Sequence, residues 1–339
     1  MKILFSNAHG LDMLNILCFF LLAWPVTAEA KGIHFLIPGG VGGGWDTTAR
    51  AAGRVLKQLD SGYRISYENL SGGGGGRCLS YFIQTADRQQ DTLMIQSTQM
   101  LISSLKGLYS LDVRSLTPVA ALVADYGAFA VRNTSKVTSF LQLVRDYRTE
   151  PNSLVIGGGS MRSGMDHIVA ASAFSKAGWQ AKSVKYVPYD AGGKALTGLF
   201  SGEIQVIVSG LGELVELHKA GEVRILAVTS PGPSNLPGVP SLKELKIPME
   251  FVNWRGFFAV PGLRKAAVAD VTLDIKKLAE SPLWQQTLSR YGWGHSYLAG
   301  AAFSKMLFAQ EVMLKETMVQ LGFLQPELGG GDRHQTRSY

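Results

Sequence analysis

This sequence predicts an α/β fold in two lobes, and three observations predict it. Short apolar runs of strand character alternate with segments of helical periodicity. Glycine-rich loops stand where those runs give way to helices. Residues 31–339 follow an N-terminal leader, and at roughly 100–200 residues per domain that length makes two lobes.

The leader is unlike the rest. Lys2 gives a basic start, LNILCFFLLAW is its apolar centre, and Ala28-Glu29-Ala30 fits an A-x-A cleavage site. Residues 1–30 are therefore read as a secretory signal peptide, too short to read first as a membrane span. An uncleaved anchor is the alternative. Cleavage leaves one cysteine, Cys78, which excludes an internal disulfide and reads as a small buried residue. Stability must then come from the core, which a 46% hydrophobic composition allows. The formal charge of +7 is spread without a dense basic block, which argues against nucleic acid.

The elements follow in order. His34 to Pro38 reads as a strand. Asp46 to Leu59 reads as a helix, with Ala49, Ala52, Leu56 and Leu59 on one face. Thr92 to Ser97 and Leu154 to Gly157 are strands, the second followed by a helix from about 165 to 177. Val184 to Pro188 is a strand before a helix from about 193 to 200. Gln205 to Ser209 and Val223 to Thr229 are strands around a helix that begins near Leu211. Four prolines and two glycines make Ser230 to Pro240 a loop. Gly256 to Val260 is a strand, and 266–280 and 301–321 are helices. Phe303, Met306, Leu307, Met313, Leu314 and Leu321 supply the apolar face of the last helix. The rhythm is that of parallel α/β lobes covered by helices. Residues 329–339 are polar and glycine-rich and are expected to be disordered.

Three loops close a strand and open onto a helix: PGGVGGGWD from Pro38, NLSGGGGGR from Asn69 and GGGSMRSGMDH from Gly157. Helix N-termini present unpaired N–H groups, and glycine lets those groups approach an oxygen anion without a Cβ in the way. The expected visitor is a carboxylate or phosphate. Nucleotide fingerprints fail on spacing. Trp45 and Asp46 stand where a P-loop needs Lys and Ser/Thr, and the third glycine of G-x-G-x-x-G falls on Trp45 or Arg162. H-E-x-x-H, C-x-x-C and G-x-S-x-G are absent, so neither an enzyme nor a metal site is indicated, and no cofactor is called for.

Individual residues keep two readings at this point. Asp46 is a helix cap or first-turn acid. Trp45 is core or pocket wall. Arg162 is solvated or pairs with a carboxylate. His167 satisfies local backbone groups or meets a ligand. Ser160 and Ser163 are caps, ligand donors, or both.

The order of motifs resembles the periplasmic substrate-binding component of tripartite tricarboxylate transporters, also called Bug proteins. The matching blocks are PGGVGGGWDTTAR, ENLSGGGGG, GGGSMRSGMDH, YVPYDAGGKALTGLFSGEIQVIVSG, VRILAVTS, LPGVPSLKEL and WRGFFAVPG, in family order from about Gly32 to Leu324. The resemblance implies a two-lobed type II periplasmic-binding-protein fold with a ligand cleft between the lobes. Lobe one would take 31–124 plus 231–328, and lobe two 125–230. It implies a non-enzymatic, monomeric receptor in the periplasm that delivers a tricarboxylate or related organic carboxylate to membrane permease subunits. A sensory receptor signalling to a membrane kinase and a secreted hydrolase using His167 are the alternatives.

The implied ligand contacts are Gly39, Gly40, Gly43, Gly44 and Trp45 in the first loop and Gly74 and Gly75 in the second. Ser97 follows at a strand end, then Ser160, Arg162, Ser163 and His167 in the third loop, and Asp190 in YDAGG. Met161 and Arg162 depart from the small residues usual in that loop, and Ala191 replaces a common glycine.

Overall fold

A computed structural model describes residues 31–108, 113–150, 154–180 and 184–326. The leader 1–30 and the tail 329–339 lie outside the described residues. The chain begins β1 (Gly32–Ile37), α1 (Gly44–Leu59), β2 (Arg64–Asn69), α2 (Gly76–Gln84), β3 (Thr92–Ser97), α3 (Thr98–Leu105) and β4 (Thr117–Arg132). It continues α4 (Phe140–Thr149), β5 (Ile156–Gly158), α5 (Met165–Lys176), β6 (Tyr186–Pro188), α6 (Gly192–Ser201), β7 (Val206–Gly210), α7 (Leu211–Lys219) and β8 (Val223–Val228). It ends β9 (Val252–Ala259), α8 (Lys265–Glu280), α9 (Pro282–Tyr291), β10 (Gly294–Ala299) and α10 (Gly300–Gln320).

Strand order is β2-β1-β3-β9-β4-β7-β5-β6, with β8 and β10 also paired to β4. The sixteen-residue β4 belongs to both halves of this sheet. From Thr117 to Tyr126 it pairs with β9, and from Gly127 to Ala130 with β7. The expectation of parallel lobes is corrected here. β1, β2 and β3 run parallel, as do β5, β6 and β7, but β9 is antiparallel to both β3 and β4. β7, β8 and β10 are also antiparallel to β4. Apolar runs buried on both faces look alike in either orientation, so the sequence pattern could not separate them.

A second crossing lies beside the first. Thr229 N donates to Gly127 O at 2.9 Å, and Gly127 N donates to the Thr229 hydroxyl at 2.8 Å. The same hydroxyl donates to Phe251 O at 2.7 Å. The two segments that join the halves are thus bonded to each other where they pass.

The packing follows the sequence pattern with two exceptions. Ala49, Ala52, Val55 and Leu56 of α1 are buried against Phe35, Ile95 and Phe257 of the sheet. Phe35 lies between Tyr67 and Phe257, with ring centroids 5.7 and 5.1 Å away. Fully burying such a side chain is worth about 1.5–3 kcal/mol. Leu59, placed on the same face by its spacing, is 42% exposed because it sits in the last turn, beyond the sheet. Met313 of α10 is likewise 49% exposed, whereas Phe303, Leu307, Leu314 and Leu321 are buried as expected. Cys78 is fully buried, and burial pushes its thiol up to about 12, which leaves it inert at neutral pH.

Candidate functional site

The three glycine loops lie at the ends of β1, β2 and β5, each leading into a helix. In the first, Asp46 occupies the first turn of α1 and is 2% exposed. Its Oδ2 accepts from Gly42 N at 2.9 Å, and its Oδ1 accepts from Arg50 Nε at 2.8 Å and Asn69 Nδ2 at 3.0 Å. Asn69 also donates to Gly39 O at 2.9 Å, which ties the first loop to the end of β2. Asp46 is therefore the first-turn acid that folds the loop back on the helix, while the N-cap position is Gly43. Trp45 follows its core reading. Its ring touches the α1 side of the core and also lies between Gly39 and Gly75, with its indole N–H buried and without a hydrogen-bond partner. Gly40 and Gly43 close the first loop through Gly43 N donating to Gly40 O at 3.3 Å.

The second loop is a run of left-handed backbone: Gly72, Gly73, Gly74 and Gly75 have φ of 133°, 57°, 62° and 98°. Side chains strain in this region, so the glycine density here is a conformational requirement. Gly74 faces Met161 of the third loop and Ser103 of α3. Ser97 caps α3, its hydroxyl accepting from Gln99 N at 3.3 Å.

The third loop is organised around Asp166 and His167. Ser160 Oγ accepts from Asp166 N at 2.9 Å, and Tyr186 OH donates to Ser160 O at 2.8 Å. The amides of Gly159 and Ser160 lie close to the Asp166 carboxyl and favour its charged form. Ser163, at φ 56°, donates its amide to His167 Nδ1 at 2.9 Å. The His167 ring is stacked on Tyr186 at 4.5 Å, and burial, with Arg162 and Lys106 nearby, pushes it down to about 4. It is a neutral, loop-shaping residue, committed at the nitrogen through which a hydrolase triad would orient it. Arg162 is exposed, and its carbonyl accepts from Lys106 Nζ at 2.7 Å. Asp190 is exposed and paired with Lys194 at 3.0 Å along α6.

Residues that the sequence reading missed lie where the halves meet. Arg255 of β9 and Asp125 of β4 form a buried ion pair, and Arg255 Nη1 donates to Thr48 Oγ1 at 3.3 Å. Asp125 Oδ1 also accepts from Gly212 N, in the first turn of α7, at 3.3 Å. Beside them stands Glu213. Its carboxylate accepts from Ser209 Oγ at 3.0 Å, and its Oε1 lies 3.0 Å from where a Cβ on Gly44 would stand, at the start of α1. A Cβ on Gly44 would collide with Arg255, one on Gly192 with Glu213, and one on Gly210 with Asp125. The first turns of α1, α6 and α7 therefore reach this cluster because glycine stands at each contact. Only a first-turn acid in SGLGE and the arginine of WRGFF marked these residues in the sequence.

Burial raises the Glu213 carboxyl, with Arg255 pulling against it, and burial together with the Glu213 charge raises Asp166 to about 7. Thus the Gly42 amide, expected to stand open to an anion, is taken by Asp46, and the amides of Gly44, Gly159 and Ser160 lie close to carboxyl groups of the chain itself. The halves also touch directly: Met165 N donates to Gln99 Oε1 at 3.0 Å, alongside the Lys106 contact. Two cavities lie elsewhere. One of about 300 Å³ is lined by Trp254, Met306, Gln310 and Met313, and one of about 260 Å³ lies between α1 and α9. Among the described residues, no metal-holding group of His, Cys, Asp and Glu is present, and no helix is long and apolar enough to cross a membrane.

Comparison with known proteins agrees with this architecture. The model of the tripartite tricarboxylate transporter family receptor matches residues 66–320. Protein BugT of Bordetella pertussis is 26% identical over 270 residues, covering 77% of this chain and 81% of that protein. The structure of Rpa4515 from R. palustris, solved with adipate, superposes with a TM-score of 0.78 at 21% identity, covering 88% of this chain and 99% of that one. The periplasmic binding protein BugD gives 0.76 at 17% identity, over 86% and 97% of the two chains. The shared fold is the two-lobed α/β fold of periplasmic binding proteins. With its family model spanning more than half of its length, the chain belongs to the tripartite tricarboxylate transporter receptor family, whose members are periplasmic solute-binding receptors and not enzymes.

Proposed function

We propose that this receptor closes its two lobes on a small organic acid of di- or tricarboxylate size and hands it to the permease of a tripartite transporter. The lobes are 31–124 plus 231–328 and 125–230, although residues 327 and 328 lie outside the described residues. They hinge where β4 and the Thr229 crossing pass each other. Residues 1–30 direct export and are removed.

One observation carries this reading: the first turns of α1 and α6, one from each lobe, close on a single buried carboxylate, that of Glu213 in the first turn of α7. A point that stabilises one carboxylate by amides and helix dipoles is suited to another. The adipate bound by the structurally similar Rpa4515 is a molecule of this class. Thr48, Ser97, Arg162 and Trp45 lie around the same junction and supply donors and a wall.

The test is a thermal-shift screen of mono-, di- and tricarboxylates. A ligand at a hundred times its Kd adds about 2.7 kcal/mol to the folded state, so a cognate acid raises Tm by several degrees. A screen in which no acid raises Tm overturns the reading. Retrieval of permease subunits from solubilised membranes by the liganded receptor tests delivery, and retrieval of a membrane kinase instead would make it a sensor.

A further inference from the structure

Glu213 occupies the place where a ligand carboxylate is expected. It belongs to α7, in the second lobe, yet its Oε1 lies against Gly44 at the start of α1, in the first, 3.0 Å from where a Cβ there would stand. Ser209 Oγ holds it from its own lobe at 3.0 Å. Gly192 passes so close to its Oε2 that a side chain there would collide with it, so the α6 turn is shaped around the carboxylate. Arg255 is the cation acting on Glu213, and Asp125 already engages it at 2.5 Å. Asp166 adds a third buried acid within electrostatic reach. The junction therefore holds Glu213, Asp125 and Asp166 against one arginine.

We propose that Glu213 is the resident anion of the cleft and sets the charge of the ligand: acids of low charge are admitted, and fully ionised tricarboxylates are resisted. The proposal rests on the receptor reading above. An incoming carboxylate must either displace Glu213 from its place against Gly44 or lie beside it. In a medium of low effective dielectric, two like charges a few ångströms apart repel strongly, and the repulsion grows with each further ligand charge. A ligand that offers a hydroxyl or ammonium donor toward Glu213 escapes that cost.

The experiment is calorimetric titration of the wild type and Glu213→Gln with lactate, succinate and citrate at pH 8. Glutamine keeps the size and an acceptor oxygen but removes the charge. The expected result is a graded gain: affinity for succinate rises roughly tenfold, for citrate more, and for lactate least. Ser209→Ala, which releases Glu213 without altering its charge, moves affinities in the same direction by less. Equal changes for the three acids, or weaker binding of all of them by Glu213→Gln, overturn the proposal while leaving the receptor reading intact. If none of the acids binds either protein, both fall.

Discussion

Arg255 and Asp125 stand 130 residues apart in sequence and meet as an ion pair, Nη2 to Oδ2 at 2.5 Å, with side-chain exposures of 3% and 0%. The pair lies where β4 passes from one half of the sheet to the other, and it fixes α7 through the Gly212 amide. Breaking a buried pair from one side leaves an uncompensated charge, which costs about 3–5 kcal/mol, whereas replacing both partners by apolar groups costs far less. Asp125→Ala is therefore expected to destabilise the protein by about 3–5 kcal/mol in urea denaturation, and adding Arg255→Met to restore part of that. A single variant within 1 kcal/mol of the wild type would show that the pair does not matter to the fold.

Gly44 gives a sharper geometric test. The sequence alone makes Gly44→Val a binding variant with an intact fold, but the structure places the Arg255 guanidinium where a Cβ would stand. Overpacking of this kind costs about 1–3 kcal/mol. Gly44→Ala should lower stability by that amount and weaken acid binding together. Loss of binding with an unchanged denaturation midpoint would contradict the contact.

Two adjacent residues titrate in opposite senses. Asp166, raised to about 7, holds a proton in the folded state that the unfolded chain releases near pH 4, so its contribution is full below pH 4 and lost by pH 7. His167, lowered to about 4, stays neutral when folded, so its contribution is present above pH 6.5 and lost toward pH 4. Between pH 4 and 6.5 the two slopes oppose. Asp166→Asn is expected to unmask the His167 slope, giving a protein that loses stability on acidification more steeply than the wild type. Parallel stability–pH curves for the two proteins would show that Asp166 titrates normally.

Arg162 separates binding from folding. It is exposed, and its structural contact is made by its carbonyl, not its guanidinium. Arg162→Ala should change stability by no more than about 0.5 kcal/mol. If the guanidinium reaches the ligand, the same variant weakens acid binding, most for the more highly charged acids. Unaltered affinities across the series would place Arg162 outside the site.

What could be read in the sequence, and what could not, follows from the range of the interactions. The strand Thr92–Ser97 and the helix Met165–Lys176 rest on local periodicity and turn chemistry, and both are legible. So are the first-turn role of Asp46 and the burial of Cys78. β4 was not legible: buried along most of its length, it shows no alternation. Its antiparallel neighbours were hidden for the same reason. At the site, glycine spacing pointed to the loops, and the sequence could show that amides were unshielded but not that they were occupied. Glu213 looked like an ordinary first-turn acid of α7. Its approach to Gly44 joins two elements far apart in sequence, and no local pattern encodes it.

Gly127 and Thr229 bound the whole span of chain between them, and they are hydrogen-bonded to each other. More than a hundred residues thus leave the rest of the molecule and return to it through one narrow neck. Such a span is, topologically, an insertion in its host. A short connector replacing it would bridge only neighbouring backbone, so the remaining portion could be produced as a continuous chain, and the excised portion could be exchanged among homologues as a cassette.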